Sequence, residues 1–349
     1  MKDTPYFSKK INDLPKGCSQ CVKGQKLVLF ITGLCNKSCY FCPLSDEKKN
    51  KDVIYANERP VTSDEEILEE ARISDARGAG ITGGDPLLKI ERTTRIIRKL
   101  KQEFGHFHIH LYTPLKNVTK EKLKALHDAG LDEIRFHPDY ESQEDWPRLK
   151  LAGEFDWDIG IEIPVIPGTD ARPLIEYVKD KVDFINLNEL ELSDTNANKL
   201  EEKGFNIKSQ LSYAIEGSEE EATKLMETLE DSGVNVHYCT TRLKDAVQMA
   251  NRIKRRAKNA AKPFDKITDE GLLIRGAVFP EKYSLEDTKE RIIRKCNIPE
   301  KHIFIDTDKN RVLTRAAAMK HIKRKLKEPC AIIEEYPTWD QLEIEREYI

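Results

Sequence analysis

Between residue 26 and about residue 190 the chain alternates short apolar runs with charged stretches of helical period, and this rhythm constrains its fold more than any other feature. The pattern predicts strands at Lys26–Thr32, Gly80–Thr82, Phe107–Tyr112, Glu133–Phe136, Asp158–Ile166 and Phe184–Leu192. Helices are expected at Ser63–Ala76, around Thr93–Phe104, at Thr119–Ala129 and at Ala171–Lys181. Ser63 and Glu66 have capping-box spacing, and Gly130 ends the third of these helices. Strands that alternate with helices of this length pair in parallel through right-handed crossovers. The expected fold is therefore α/β, a partial or complete (β/α) barrel.

After residue 193 the texture changes. A helix is expected at Glu219–Asp231, a strand at Val234–Tyr238 and a long basic helix at Arg242–Ala261. Beyond Lys262-Pro263, a plausible linker, the pattern gives strands at Gly271–Phe279, His302–Asp306 and Ala331–Tyr336, with helices at Leu285–Lys295 and Thr314–Leu326. The reading divides the chain into an N-terminal segment at 1–25, a barrel with its extension at 26–262, and a smaller α+β domain at 263–349. No internal repeat of fixed period is seen.

The overall charge of −3 over 349 residues points to no partner of a single sign, but the charge is unevenly placed. Residues 240–327 hold 24 Lys and Arg against 11 Asp and Glu, a local excess of 13. Two readings are open: solvated helix faces, or a positive surface for RNA. No RNA-binding signature with interleaved aromatics accompanies the basic region.

The start of the sequence, MKDTPYFSKKIND, has no apolar core of the kind a signal peptide carries. The longest apolar run, near Leu27 to Ile31, falls far short of a membrane span. A cytoplasmic setting without a membrane partner is expected. In a reducing compartment, grouped cysteines hold metal or do redox chemistry more often than they form disulfides. Five of the eight cysteines (Cys18, Cys21, Cys35, Cys39 and Cys42) crowd into twenty-five residues, whereas Cys239, Cys296 and Cys330 are scattered. Cys296 and Cys330 read as small buried hydrophobes.

Cys35, Cys39 and Cys42 form C-x3-C-x2-C directly after the first predicted strand. Three thiolates on one loop can hold three irons of a cubane and leave the fourth open, where substrate or cofactor would bind. Inert core thiols or part of a structural zinc site are the plainer alternatives. With Phe41 before the last cysteine, the motif resembles that of the radical S-adenosylmethionine (SAM) superfamily. The resemblance covers about residues 27–190. It implies a [4Fe–4S] cluster on the three cysteines, SAM chelated at the open iron, and reductive cleavage to a 5′-deoxyadenosyl radical that abstracts hydrogen from substrate. It also implies an electron donor of the flavodoxin or ferredoxin type.

Gly83-Gly84-Asp85-Pro86 follows the second predicted strand and resembles the Gly-Gly-Glu-Pro motif that meets the SAM amino group; here Asp85 is one methylene shorter than the usual Glu. Alone, it would be read as a turn. By the same resemblance, Glu162 in the fifth strand flanks the adenosine, and Asn188 and Glu189 at the end of the sixth touch SAM or substrate. The layout is similar to the activating enzymes related to pyruvate formate-lyase activase, and to a poorly characterised archaeal-type branch. The substrate is left open among RNA, a protein receiving a glycyl radical, and a small molecule. An RNA-binding protein with a structural iron–sulfur cluster is the alternative from another class.

Further candidates are less sharply written. Arg135 and His137 are expected near the cavity mouth. His106, His108 and His110 alternate with apolar residues, so period two sets them on one strand face, with His110 able to bind substrate or move a proton. Cys18 and Cys21 with His237 and Cys239 would supply four ligands for zinc or a second iron–sulfur site. In a purely parallel barrel these residues start far apart, so that reading needs the N-terminal segment to fold across the barrel.

Overall fold

A computed structural model describes residues 1–140 and 142–349, in two units: residues 1–72 with 76–249, and residues 73–75 with 250–349. The first is built on seven parallel strands: β1 (Lys26–Phe30), β2 (Gly78–Thr82), β3 (His108–Pro114), β4 (Glu133–His137), β5 (Asp158–Val165), β6 (Phe184–Glu189) and β7 (Asn235–Cys239). They lie side by side in chain order. β1 and β7 do not pair with each other. β1 is flanked by a hairpin at Ile54–Ala56 and Arg59–Val61, and β7 by an antiparallel strand at Lys9–Ile11. The barrel is thus partial, and β7 supplies a parallel strand beyond the six units read from the sequence.

Period two decides what each face of this sheet does. The apolar partners Leu29, Ile81, Leu111, Ile134, Ile159, Ile161, Ile185 and Val236 lie in register across neighbouring strands and are buried. Alternate positions form a polar row, Tyr112–Arg135–Gly160 running into Glu162–Asn186–His237, on the opposite face. The helices α2 (Asp64–Ile73), α3 (Ile90–Phe104), α4 (Lys120–Ala129), α5 (Arg172–Val178) and α6 (Ser218–Glu227) add buried Ile67, Ile96, Leu123, Leu174 and Met226 to the apolar core. The expected capping box forms: Glu66 Oε2 accepts from Ser63 N at 2.9 Å, and Ser63 Oγ accepts from Glu66 N at 3.4 Å. Gly130 takes the left-handed conformation (φ 97°) that ends α4.

An N-terminal helix, α1 (Lys16–Val22), that sequence reasoning did not assign meets the polar face. Gly17 N donates to Glu133 Oε2 at 2.9 Å, and a Cβ at Gly17 would stand 2.5 Å from Arg135 Nη2. Helix α1 is therefore a plug at the end where the strands begin, and only glycine fits at that contact. The N-terminal segment does fold across the barrel.

The second unit begins with helix α7 (Ala250–Ala260) and continues as β8 (Leu273–Val278), α8 (Leu285–Cys296), β9 (Phe304–Asp306), β10 (Arg311–Thr314), α9 (Met319–Leu326), β11 (Cys330–Glu335) and β12 (Glu343–Tyr348). The antiparallel order β9-β10-β8-β11 is that of a βαββαβ, ferredoxin-like unit, with β12 added at one edge. Arg311–Thr314, of which only Thr314 falls in an expected element (the helix Thr314–Leu326), is a strand of fully buried residues, with β-branched Val312 and Thr314. Cys296 and Cys330 are buried in this unit's core, as expected. The unit's basic character shrinks under its own boundaries: residues 250–349 hold 23 Lys and Arg against 17 Asp and Glu, an excess of 6. Arg275 and Arg311 are buried and paired with Asp265, Asp306 and Glu335. Among the described residues no helix is long and apolar enough to cross a membrane.

Candidate active site

The cysteine loop leaves β1 and is pinned where it departs and returns. Gly33 N donates to Lys51 O at 2.8 Å, and Asn50 N donates back to Gly33 O at 3.0 Å. Asp52 then accepts from Arg92 Nη1 at 2.6 Å and from Thr32 Oγ1 at 2.9 Å. The Arg92 guanidinium holds the Asp52 carboxyl well below the usual carboxylate range. Within the loop, Phe41 packs at a tilt against His137 (ring centroids 5.9 Å apart), and Asn196 Nδ2 donates to Phe41 O at 3.1 Å. Cys35, Cys39 and Cys42 are each half-buried and line one cavity of about 330 Å³. Burial pushes the Cys35 and Cys39 thiols up, so the loop by itself does not favour their thiolates.

The GGDP turn braces this loop from behind. Gly84 N donates to Thr32 O at 2.7 Å and Asp85 N to Leu34 O at 2.8 Å. A Cβ at Gly84 would stand 2.3 Å from Leu34 O, and one at Gly83 2.5 Å from Thr32 O. The glycines are required by backbone-to-backbone contact between two loops, and both line the cavity. Asp85 does not. It is fully buried and its oxygens accept from Leu87 N at 3.0 Å, Thr113 Oγ1 at 2.8 Å and Asn117 Nδ2 at 2.6 Å. The carboxylate expected to meet an ammonium is a turn cap, and the cavity-facing part of the motif is its glycine backbone.

The far wall comes from the carboxyl ends of β4 to β6. Glu162 Oε2 accepts from Arg135 Nη1 at 2.7 Å and from Asn186 Nδ2 at 2.9 Å, while Oε1 accepts from Asn188 Nδ2 at 3.0 Å. Burial would push this carboxyl up, but Arg135 and the two amides outweigh it and hold it below its ordinary value. His137 Nδ1 lies 2.9 Å from the Glu162 carbonyl, which can only accept, so Nδ1 carries the proton. Burial keeps the ring neutral, leaving Nε2 as an acceptor. Glu189 Oε2 accepts from Thr241 N at 2.8 Å and Thr241 Oγ1 at 3.0 Å.

These residues meet the outcome of comparison with known proteins. The model of the radical SAM superfamily matches residues 29–159, which hold the cysteine loop and the GGDP turn. A Methanocaldococcus jannaschii protein named "putative glycyl-radical enzyme activating enzyme" is 44% identical over 98% of this chain and 94% of its own length. The chain belongs to the radical SAM superfamily. A Saccharolobus islandicus protein named "probable GTP 3′,8-cyclase" is 28% identical over 46% of this chain and 47% of its own. Among solved structures, the radical SAM methyltransferase TsrM from Kitasatospora setae matches 59% of this chain and 45% of its own at 12% identity (TM-score 0.37). Methylornithine synthase, PylB, matches 66% and 79% at 14% identity (TM-score 0.38). A model for a domain of unknown function (DUF8061) matches residues 271–349.

Within this cavity nine of the residues singled out from the sequence converge: Cys35, Cys39, Cys42, Gly83, Gly84, His137, Glu162, Asn188 and Glu189. Sequence reasoning missed Tyr112, Glu191 and Lys244. Lys244 pairs with Glu191 at 3.0 Å; burial opposes its charge, but Glu191 holds its amine protonated. It was hidden because Arg242–Ala261 reads as one helix, whereas a π-type turn at Lys244–Met249 interrupts it.

The remaining candidates lie beneath the cavity or outside it. Arg135 is buried on Glu133 and Glu162 and orients the latter; it is a positioning residue, not a wall of the mouth. His110 is fully buried, with burial holding it well below its ordinary range, and does not line the cavity. His106 precedes β3 and is exposed, so only His108 and His110 share the strand face. Cys18 meets Asn186 Nδ2 at 3.2 Å and Arg135 Nη2 at 3.5 Å, and burial pushes its thiol up to about 12. His237 Nε2 lies 3.3 Å from Ser8 Oγ, and burial keeps Cys239 a thiol. Among the described residues, no three ligand atoms of Cys18, Cys21, His237 and Cys239 come within 4.8 Å of one another, as a single zinc ion would require. Cys35, Cys39 and Cys42 do not converge that closely either.

Proposed function

We propose that the protein is an activase that removes a hydrogen atom from a backbone glycine of a partner enzyme. The reading is carried by the relative at 44% identity over 98% of the chain, which is named as an activating enzyme for glycyl-radical enzymes. The donor set supports it: three thiols on one pinned loop face a cavity whose other walls carry acceptors and glycine backbone. Cys35, Cys39 and Cys42 would hold a [4Fe–4S] cluster, with SAM against Gly83, Gly84, Glu162 and Asn188. When bound, the pair supplies a one-electron sulfonium cleavage that yields a carbon radical able to take hydrogen. The chain's own part is positional. Arg135, Asn186 and Asn188 fix the Glu162 carboxylate as an acceptor, and His137 offers Nε2. Phe41 and Leu190 form apolar wall that keeps water from the reacting centre. The electron arrives from an external reductant. The basic excess of residues 240–327 is the one feature that points to RNA, and it falls to 6 over the second unit.

The test is anaerobic. With reconstituted cluster, dithionite and SAM, the reduced cluster's electron paramagnetic resonance (EPR) signal should change on SAM binding, and 5′-deoxyadenosine should form; Cys39→Ala should give neither. With a glycyl-radical enzyme from the same genome labelled with dideuterated glycine, deuterium should appear in the 5′-deoxyadenosine. Cleavage of SAM without that transfer would reject the activase reading while leaving the radical chemistry standing.

A further inference from the structure

At the end of the barrel opposite the cysteine loop, the first residues of three neighbouring strands meet: His108 of β3, Glu133 of β4 and Asp158 of β5. Glu133 and Asp158 are register partners, so their side chains leave the sheet on the same face. One ligand atom from each of the three residues falls within 4.8 Å of the others. His108 and Glu133 are buried, while Asp158 is exposed and opens the group to solvent.

Among the described residues, the buried His108 Nε2 has no hydrogen-bond partner. It stands 3.5 Å from Glu133 Oε2, longer than a good N–H···O bond but suited to two ligands of one ion. The other ring nitrogen, Nδ1, lies 2.6 Å from Lys26 Nζ, which also reaches the backbone oxygens of His108 at 2.6 Å and Ala79 at 3.4 Å. This contact fixes the ring from its remote nitrogen and leaves Nε2 on the side of the two carboxylates. A fixed partner on the remote nitrogen is what orients a metal-bound imidazole. Arg135 engages the other Glu133 oxygen, so Oε2 and Asp158 are left facing His108.

We propose that His108, Glu133 and Asp158 form a divalent-cation site that clamps the floor of the barrel. An imidazole with two carboxylates and no thiolate suits manganese or zinc. Because Glu133 Oε2 also accepts from Gly17 N at 2.9 Å, the ion ties three strands to the plug helix α1. The site shares no residue with the cysteine loop and stands independently of the proposed activity.

Manganese separates it from the cluster loop, since Mn²⁺ prefers oxygen and imidazole to thiolate. Chelator-treated holoenzyme titrated with Mn²⁺ should bind one equivalent, read as loss of the free six-line EPR signal. Zinc should displace it. Cys39→Ala should bind equally well. Asp158→Asn, an exposed change that leaves the core intact, should weaken binding by about tenfold or more, and His108→Ala should abolish it. If the holoenzyme binds no manganese, or Asp158→Asn binds as tightly as wild type, the proposal is overturned and a proton alone bridges His108 and Glu133.

Discussion

The two ends of the same seven parallel strands are built to opposite rules. Where the strands finish, glycine backbone, half-buried thiols and an acceptor-lined cavity leave space for ligands. Where they begin, Lys26, His108, Glu133 and Arg135 are buried side by side and the plug helix closes over them. One end leaves its polar groups facing a cavity, while the other packs most of its own against one another. Barrel enzymes keep chemistry at the carboxyl ends of strands and stability at the opposite face, and here one alternating row of side chains serves both. Glu162 marks the border, facing the cavity while held from below by Arg135.

The largest effect should come from the mouth and should leave the fold untouched. Cys39→Ala is expected to lose the cluster iron and all 5′-deoxyadenosine formation, with a melting temperature like that of cluster-free wild type. A melting temperature far below it would mean that the mouth is part of the core, and the contrast would fail. Arg135→Met should do the reverse. It strands Glu133 and Glu162 without their buried partner, which costs about 3–5 kcal/mol of stability. Denaturant unfolding of the cluster-free protein would measure it. Gly17→Ala comes next, at about 1–3 kcal/mol, because the new methyl presses on Arg135, His110 and Glu133. An unchanged unfolding midpoint for Gly17→Ala would show that the plug is only loosely seated.

The mouth was far more legible in the sequence than the floor. Cys35, Cys39 and Cys42 announce themselves by spacing on one loop, and Gly83 and Gly84 by following a strand, so local order sufficed. The floor is made by contacts of Gly17 with Glu133 and of Cys18 with Arg135 and Asn186, each pair distant in the chain, and nothing local marks α1 as a plug. Asp85 shows the limit of a motif: its position was readable, but not that Thr113 and Asn117 would occupy its oxygens. The paired cysteines at 18 and 21 were legible by the same local spacing, but their partners were not. Their spacing suggested metal, while the fold spends Cys18 on Asn186 and Arg135.

The smallest effect tests whether the cysteine loop belongs to the mouth alone. Asp52 ties the loop's return to Arg92, Lys89 and Thr32 from a position one-third exposed, so solvent screens its ion pairs. Asp52→Asn should therefore cost no more than about 1 kcal/mol of global stability. Its local effect should be larger: faster proteolysis within residues 34–50 and slower cluster incorporation. The sign with pH follows from the direction of the shift. The folded-state carboxyl lies below its ordinary value of 3.8, so its contribution is complete above that value and fades as pH falls further. Wild type and Asp52→Asn should thus differ by a constant amount from pH 7 down to about pH 4, and converge below it. A difference that instead shrinks near neutral pH would assign the anchoring to some group other than this carboxylate.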